Sequence, residues 1–271
     1  MMNFKDKVVV VTGASSGIGL SLVYEFASLG ASVAMGARTE EKLKEVSEEL
    51  AEKGTKSVYA ATDVTKEEDC KRLIEKTVDA FGRIDVLICN AGISMRALFD
   101  DVDLDVLRRL MDVNFWGTVY CVKYALPYIQ QSRGSIVGVS SVAGFHGLPA
   151  RTGYSSSKYA MHGLLETIRI ENLKKGVHVM IAAPGFTASN VRFSALTADG
   201  SAQGETPRAE DKMMTSEEVA RRIAKGVAKR KRTLLMEFQG RATNFLKKIW
   251  PSFLDKMFYD HMAKEPDSPL K

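Results

Sequence analysis

Seven short apolar runs, alternating with longer stretches of helical period, constrain this chain more than any other feature. The runs lie at 8–12, 32–35, 57–61, 85–89, 135–139, 178–182 and 233–236, and several are nearly continuous Val, Ile, Leu and Ala. A strand without polar alternation has both faces covered, which is the habit of a parallel sheet. Between the runs, the spacing of apolar residues predicts helices over 18–29, 40–52, 66–81, 104–130, 154–173 and 216–229. Gly30, directly after the first helix, is a stop signal. Thr39 and Thr65 precede the second and third as N-cap residues. The alternation predicts an α/β fold built on one doubly wound parallel sheet with right-handed crossovers. Such folds bind ligands beyond the carboxyl ends of their strands.

Composition narrows the functional classes. At 271 residues, with 45% hydrophobic and 26% charged residues, the chain can bury a sizeable core, and no Pro-, Gly- or Ser-rich linker divides it. The net charge of +5 is mild. The basic run Lys229, Arg230, Lys231 and Arg232 closes a predicted helix, where cations complement the macrodipole, so no nucleic-acid partner is predicted. Cys70, Cys89 and Cys121 are scattered and odd in number. That pattern suggests neither disulfides nor a metal site, but reduced thiols in a cytoplasmic protein. A strand is reached by Lys7, which leaves no room for a signal peptide, and no apolar run is long enough to span a membrane.

Two local patterns carry chemistry. Gly13-x-x-x-Gly17-x-Gly19 follows the first strand and opens the first helix. Glycines let the backbone approach a diphosphate, and the N–H groups and dipole of a helix start favour its charge. Tyr154 and Lys158 stand four apart on a predicted helix and so share a face. An ammonium that close favours the phenolate, drawing the phenol below its ordinary pKa of about 10. A tyrosine tuned in this way trades a proton with a substrate oxygen at neutral pH.

With Asn90-Ala91-Gly92, Asn114, Ser140-Ser141 and Pro184-Gly185 in fixed order, these patterns resemble the short-chain dehydrogenase/reductase family, from about Asp6 to about Met236. The resemblance implies a single Rossmann-type, dinucleotide-binding catalytic domain over 1–236, followed by an extension over 237–271. It also implies a catalytic tetrad of Asn114, Ser141, Tyr154 and Lys158. Tyr154 would donate the proton, Ser141 would hydrogen-bond the same substrate oxygen, and Lys158 would tune the tyrosine and hold the nicotinamide ribose. Asn114 would hold a water linking Lys158 to solvent. Around the cofactor, the implied residues are Gly13, Ser15, Ser16, Gly17, Ile18 and Gly19 at the diphosphate turn. Asp63 and Val64 would meet adenine, although an acid at a helix start is an equally good reading of Asp63. Asn90, Ala91 and Gly92 would line the cofactor, and Pro184, Gly185, Thr187 and Ser189 would cap the nicotinamide. NAD-preferring members carry an acid near Ala37; here that place is neutral, and Arg38 and Thr39 follow. Guanidinium matches phosphate geometry, so NADP is the predicted cofactor. Ser16 stands where many NADP-using relatives carry a basic residue. His146 reads as a loop residue rather than an acid or base.

Ser141, Leu148 and Phe186 are the predicted substrate contacts. The stretch 186–215 reads as a lid, its Gly200, Gly204, Ser and Asp content suggesting mobility and Val191, Phe193 and Leu196 forming its apolar face. Beyond it, Phe245, Leu246, Ile249, Trp250, Phe253, Leu254, Met257 and Phe258 repeat at helical spacing, with Arg241, Lys247, Lys248 and Lys256 off the stripe. Pro251 must kink or restart this amphipathic helical extension. Its stripe calls for cover by its own domain, by a second subunit, or by lipid over 241–263. The helices between the strands already use the sheet's flanks, which points to lipid. The whole reads as an NADP-dependent oxidoreductase interconverting a ketone and a secondary alcohol on a hydrophobic small molecule, forming a homo-oligomer. Candidate substrates are a keto-sphingoid base, an acyl-dihydroxyacetone phosphate or a sterol. A 3-oxoacyl-carrier-protein reductase is the alternative substrate reading, and a catalytically silent NADP-binding sensor or scaffold the alternative class.

Overall fold

A seven-stranded, wholly parallel sheet forms the centre of the computed structural model. Described are residues 3–185, 187, 194–204, 213–264 and 268–270, apart from the side chains of 238, 239 and 241. In chain order the elements are β1 (Val8–Thr12), α1 (Gly17–Ser28), β2 (Ser32–Ala37), α2 (Glu40–Glu52), β3 (Ser57–Ala61), α3 (Glu67–Phe81), β4 (Val86–Cys89) and α4 (Leu104–Met111). They continue with α5 (Gly117–Ser132), β5 (Ser135–Val139), α6 (Thr152–Glu171), β6 (His178–Ala183), α7 (Ser216–Ala228), β7 (Thr233–Leu235), α8 (Phe238–Ile249) and α9 (Pro251–Ala263). The strand order is β3-β2-β1-β4-β5-β6-β7, so the order reverses between β1 and β4 and opens a crevice there.

The apolar runs form strands because each has two faces to bury. Val9, Val11, Val33 and Met35 join the cluster under α1, α2 and α7, with Leu22, Phe26, Leu43 and Ile223. Their neighbours Val10, Ala34, Leu87 and Ile136 join the opposite cluster under α3, α5 and α6, with Ile74, Ile129 and Leu165. Each fully buried aliphatic side chain contributes about 1.5–3 kcal/mol relative to exposure. All three cysteines are buried in this second cluster, so residues far apart in sequence converge. The Cys70 thiol lies 3.6 Å from the Val64 carbonyl, and burial pushes Cys89 up to about 12. Buried thiols held protonated are inert. Among the described residues no group of metal-ligating side chains occurs, and no helix is long and apolar enough to cross a membrane.

Four expectations change. Thr65 does not cap α3: Lys66 holds that position, and the Thr65 hydroxyl instead donates to Asp63 Oδ1 at 2.8 Å. The single helix expected over 104–130 is broken by a π-helical turn, Asp112–Trp116, between α4 and α5. Of the expected lid, Val191 and Phe193 fall outside the described residues. Leu196 is buried and paired with Met95, in a satellite cluster with Val106 and Leu110. Arg109 donates to the Gly200 carbonyl at 3.1 Å, while Asp199, Ser201 and Gly204 beside it are exposed. The C-terminal stripe is divided as well. Pro251 restarts the helix as expected. Leu254 and Met262 are buried on the chain's own body, and Phe258 stacks on His146 with ring centroids 4.9 Å apart. Phe245, Ile249, Trp250, Phe253 and Met257 remain exposed. The loop after β5 and the outer side of α6 offered a surface that counting helices between strands had missed.

Candidate active site

The glycine turn stands at the carboxyl end of β1 and admits no side chain at Gly13 or Gly19. Gly13 has φ +66, and a Cβ on Gly19 would lie 2.0 Å from the Gly13 carbonyl oxygen. Asn90, at the end of β4, stitches this turn from the other side of the crevice. Its amide donates to the Thr12 carbonyl at 2.9 Å, while its own N–H and that of Ala91 donate to the Thr12 hydroxyl at 3.0 and 3.1 Å. The first turn of α1 holds no acidic residue, and its N-cap Ser16 makes no side-chain cap, in contrast to α3 with three acids there. Close backbone approach at Gly13 and Gly19, beside a helix start without a side-chain cap, fits a dinucleotide diphosphate. Ala37 is buried at the end of β2, and Arg38 and Thr39 are exposed beside it. At the end of β3, Asp63 Oδ1 accepts from Thr65 N–H and hydroxyl, so it organises the start of α3. Val64 is buried against Gly117. Pro184 and Gly185 close β6. A Cβ on Gly185 would run into the Glu237 carboxylate, and Thr187 is buried with its hydroxyl 3.2 Å from the Gly185 carbonyl. Phe186 and Ser189 lie outside the described residues.

The expected tetrad forms two neighbouring pairs, Asn114 and Lys158 beside Gly92, and Ser141 hydrogen-bonded to Tyr154, with Lys158 Nζ 5.7 Å from the Tyr154 ring centroid. Asn114 sits on the π-helical turn, where one extra residue swings its side chain into the body; Thr118 satisfies its main-chain carbonyl at 3.0 Å. The amide grips the Ile93 backbone in both directions, accepting at 2.9 Å and donating at 3.0 Å, and donates again to Ser157 Oγ at 2.9 Å. Both Asn114 donors are therefore spent on protein, and any water it holds is held through its oxygen. A Cβ built on Gly92 would lie 3.0 Å from Asn114 Oδ1 and 3.5 Å from Lys158 Nζ, which fixes these groups as neighbours. Ser141 caps the 3₁₀ turn Val142–Gly144, accepting from Ala143 N–H at 3.3 Å, and is hydrogen-bonded to the Tyr154 hydroxyl. Tyr154 packs against the Met95–Leu110 cluster, and Leu148 is half-buried next to the start of α6, its N–H 3.4 Å from Ser155 Oγ.

The electrostatics correct one expectation. Burial pushes the Tyr154 phenol above its ordinary value, with the Ser141 hydrogen bond and the charge of Arg151 pulling it partway back. Lys158 does not draw it down. Its Nζ lies 5.7 Å from the Tyr154 ring centroid and donates instead to the Val139 carbonyl at 3.0 Å. Burial lowers Lys158 itself to about 8. Desolvation thus disfavours both charges together.

Three further residues come into the site. Ser157 bridges Asn114 and the Tyr154 carbonyl, at 2.9 and 2.8 Å. His162 continues the column Tyr154, Lys158 at the same spacing of four, a signal present in the sequence. Its Nε2 lies 2.6 Å from Ser140 Oγ, and burial lowers it to about 4. Arg151 bonds the Met95 carbonyl and adds positive charge near the phenol.

Comparison with known proteins agrees with this fold. The short chain dehydrogenase family model matches residues 7–199. An 11-beta-hydroxysteroid dehydrogenase 1A of Arabidopsis thaliana is 42% identical over 191 residues, covering 70% of this chain and 54% of its own length. An 11-beta-hydroxysteroid dehydrogenase A of Arachis hypogaea is 38% identical over 280 residues, 98% of this chain and 78% of its own. This chain thus spans about half the length of the Arabidopsis relative. Among solved structures, a short chain dehydrogenase/reductase from Burkholderia phymatum in complex with NAD superposes with a TM-score of 0.82 at 23% identity, covering 94% of this chain and 97% of that one. An alcohol dehydrogenase from Thermococcus sibiricus complexed with 5-hydroxy-NADP superposes with a TM-score of 0.70 at 26% identity, covering 80% and 88%. In its fold, its glycine turn and its ordered Asn, Ser, Tyr and Lys, the chain belongs to the short-chain dehydrogenase/reductase family.

Proposed function

We propose that the protein is an NADP-dependent oxidoreductase that interconverts a ketone and a secondary alcohol on a hydrophobic, lipid-like substrate. The observation that carries this reading is the Ser141–Tyr154 hydrogen bond, with the Lys158 ammonium 5.7 Å from the Tyr154 ring centroid and beside Gly92. A bound nicotinamide supplies or accepts the hydride. Tyr154, held protonated at neutral pH by its burial, delivers a proton to the substrate oxygen, and Ser141 hydrogen-bonds that oxygen as charge builds on it. The Ser141 hydrogen bond and the positive charge of Arg151 then stabilise the phenolate left behind. Asn114 and Ser157 hold the turn and the helix that set these distances. Arg38 beside neutral Ala37 supports NADP through a guanidinium contact to the 2′-phosphate. Names of relatives such as 11-beta-hydroxysteroid dehydrogenase support a sterol-like ketone. The exposed Phe245, Ile249, Trp250, Phe253 and Met257 support peripheral contact with lipid, from which such a substrate would come.

A silent NADP-binding scaffold needs none of the hydroxyl geometry that is assembled here. The test is a panel of steroid, long-chain and short soluble ketones with NADPH or NADH, read at the nicotinamide absorbance band. Turnover with NADPH, reduced on the order of a hundredfold or more in Tyr154→Phe, is expected. Tight NADPH binding without oxidation on any ketone would place the protein in the scaffold class.

A further inference from the structure

We propose that Lys247, on the C-terminal helix α8, is a positioning residue for the reaction: it holds the loop after Ser141 against α6 and thereby sets Ser141 against Tyr154. Its kinetic arm rests on the oxidoreductase reading above; its structural arm does not. The Lys247 ammonium donates to the Phe145 carbonyl at 2.8 Å and to the Tyr159 hydroxyl, and lies 4.9 Å from the Tyr159 ring centroid. Phe145 closes the three-residue 3₁₀ turn that Ser141 opens. Tyr159 directly follows Lys158 on α6. One cation therefore ties together the two elements that carry Ser141 and the Tyr154–Lys158 pair.

The loop depends on such ties because it has little structure of its own. A 3₁₀ turn of three residues makes few ladder bonds, and segments with few buried contacts open first. From the inner side, α6 holds this loop through His162, which contacts Ser140 at 2.6 Å and meets the Phe145 ring at 4.6 Å. Gly144 is pressed so closely into this contact that a Cβ would lie 2.7 Å from both Ser140 Oγ and His162 Nε2. From the outer side the C-terminal helices reach it. Alongside Lys247, Asp255 lies 3.6 Å from His146 Nε2, and Phe258 stacks on the same imidazole. A charge-assisted bond to a main-chain carbonyl is the strongest of these outer contacts, and it falls four residues from Ser141. A misplacement of about 1 Å at reacting groups costs up to a hundredfold in rate.

Three variants of the full chain test this: Lys247→Met, which keeps the stem and loses the donors; Lys247→Arg, which keeps a donor; and Lys264→Met, an exposed tail lysine with the same change of charge. Amide hydrogen exchange over 142–148 is expected to quicken roughly tenfold in Lys247→Met only. With NADPH and a short soluble ketone, kcat is expected to fall roughly ten- to hundredfold while NADPH affinity holds, and Lys247→Arg should recover most of it. Unchanged exchange in Lys247→Met overturns the clamp. Faster exchange with unchanged kcat also overturns the proposal, leaving Lys247 a structural contact. A wild type inactive on every ketone overturns the oxidoreductase reading instead, and the exchange experiment still shows whether the loop is held.

Discussion

The amino-terminal half of the sheet and the C-terminal pair of helices reach one active site by opposite means. Around β1 the fit is backbone against backbone. Gly19 sits where a Cβ would be 2.0 Å from the Gly13 oxygen, and the Asn90 amide seals the turn at 2.9 Å. At the other end α8 and α9 touch the site with the tips of side chains: the Lys247 ammonium, the Asp255 carboxylate and the Phe258 ring. The same helices leave Phe245 and Ile249 63% and 65% exposed. A backbone fit forms with the sheet and opens only when the sheet does. Contacts between side-chain tips can be lost and remade one at a time. The cofactor side is thus expected to be rigid, and the substrate side to open locally well below the global unfolding free energy.

Helix α6 is where the two regions meet, and Lys158 is the place to break the comparison hardest. On the rigid side a cation is buried at 4% exposure and lowered from 10.5 to about 8. Below pH 8 both folded and unfolded chains carry the proton, and the folded state bears the full cost of burying the charge. Between 8 and 10.5 the unfolded lysine still holds its proton and the folded one has lost it, so wild-type stability climbs with pH. At about 1.4 kcal/mol per pKa unit, the cost below pH 8 is about 3 kcal/mol. The lost bond to the Val139 carbonyl offsets about 1 kcal/mol of the gain from removing the charge. Lys158→Met is therefore expected to be inactive yet more stable at pH 7 by about 2 kcal/mol, with the gain shrinking toward pH 10. Urea unfolding at pH 7 and 9.5 decides it. A variant less stable than wild type at pH 7 would show that the lysine is a structural tie, like Lys247, and the contrast between the regions would collapse at this residue.

The two regions also differ in how far they can be read from sequence, for the same physical reason. Strand runs, Gly30 and the Gly13–Gly19 turn are governed by backbone geometry within a few residues, so the residues themselves announce it. The pairing of Asn114 with Lys158 and of Ser141 with Tyr154 was legible only through the family's fixed order. The π-helical turn at Asn114 was not, because one extra residue barely disturbs a helical period. His162 and Lys247 were passed over because their partners are 22 and 102 residues away. The direction of the Tyr154 shift was missed because it depends on burial against Met95 and Leu110, which no spacing of four can reveal. The division of the tail between a buried and an exposed face needed the loop at His146 to be placed first.

Arg38 sharpens the comparison from the rim of the rigid side. It is exposed, next to buried Ala37, with Glu40 and Glu41 following in the first turn of α2. A hydrogen-bonded contact to a charged group is worth about 1.5–3 kcal/mol. NADPH is therefore expected to bind roughly ten- to hundredfold tighter than NADH, and Arg38→Ala to erase most of that gap with NADH affinity unchanged. Equal affinities for the two cofactors in the wild type would remove NADP preference from the proposal.

The smallest effect is expected at the outer face of the tail. Phe245, Ile249, Trp250 and Phe253 form an exposed apolar surface, with the Trp250 and Phe253 rings 5.2 Å apart. Lys256 at its edge is paired with Asp260 at 3.2 Å and Lys247 is turned inward, while exposed Lys248 is placed to meet an anionic headgroup. A lysine near such a surface adds about 1 kcal/mol. Lys248→Ala should weaken co-sedimentation with anionic vesicles roughly fivefold and leave binding to neutral vesicles unchanged. The aromatic surface supplies the part that both vesicle types share, so Trp250→Glu should lower both. If the wild type ignores vesicles, and Trp250→Glu instead splits an oligomer in gel filtration, the exposed face is a subunit interface. The comparison would then stand with its partner changed, because the inner face of the same helices would still hold the Ser141 loop.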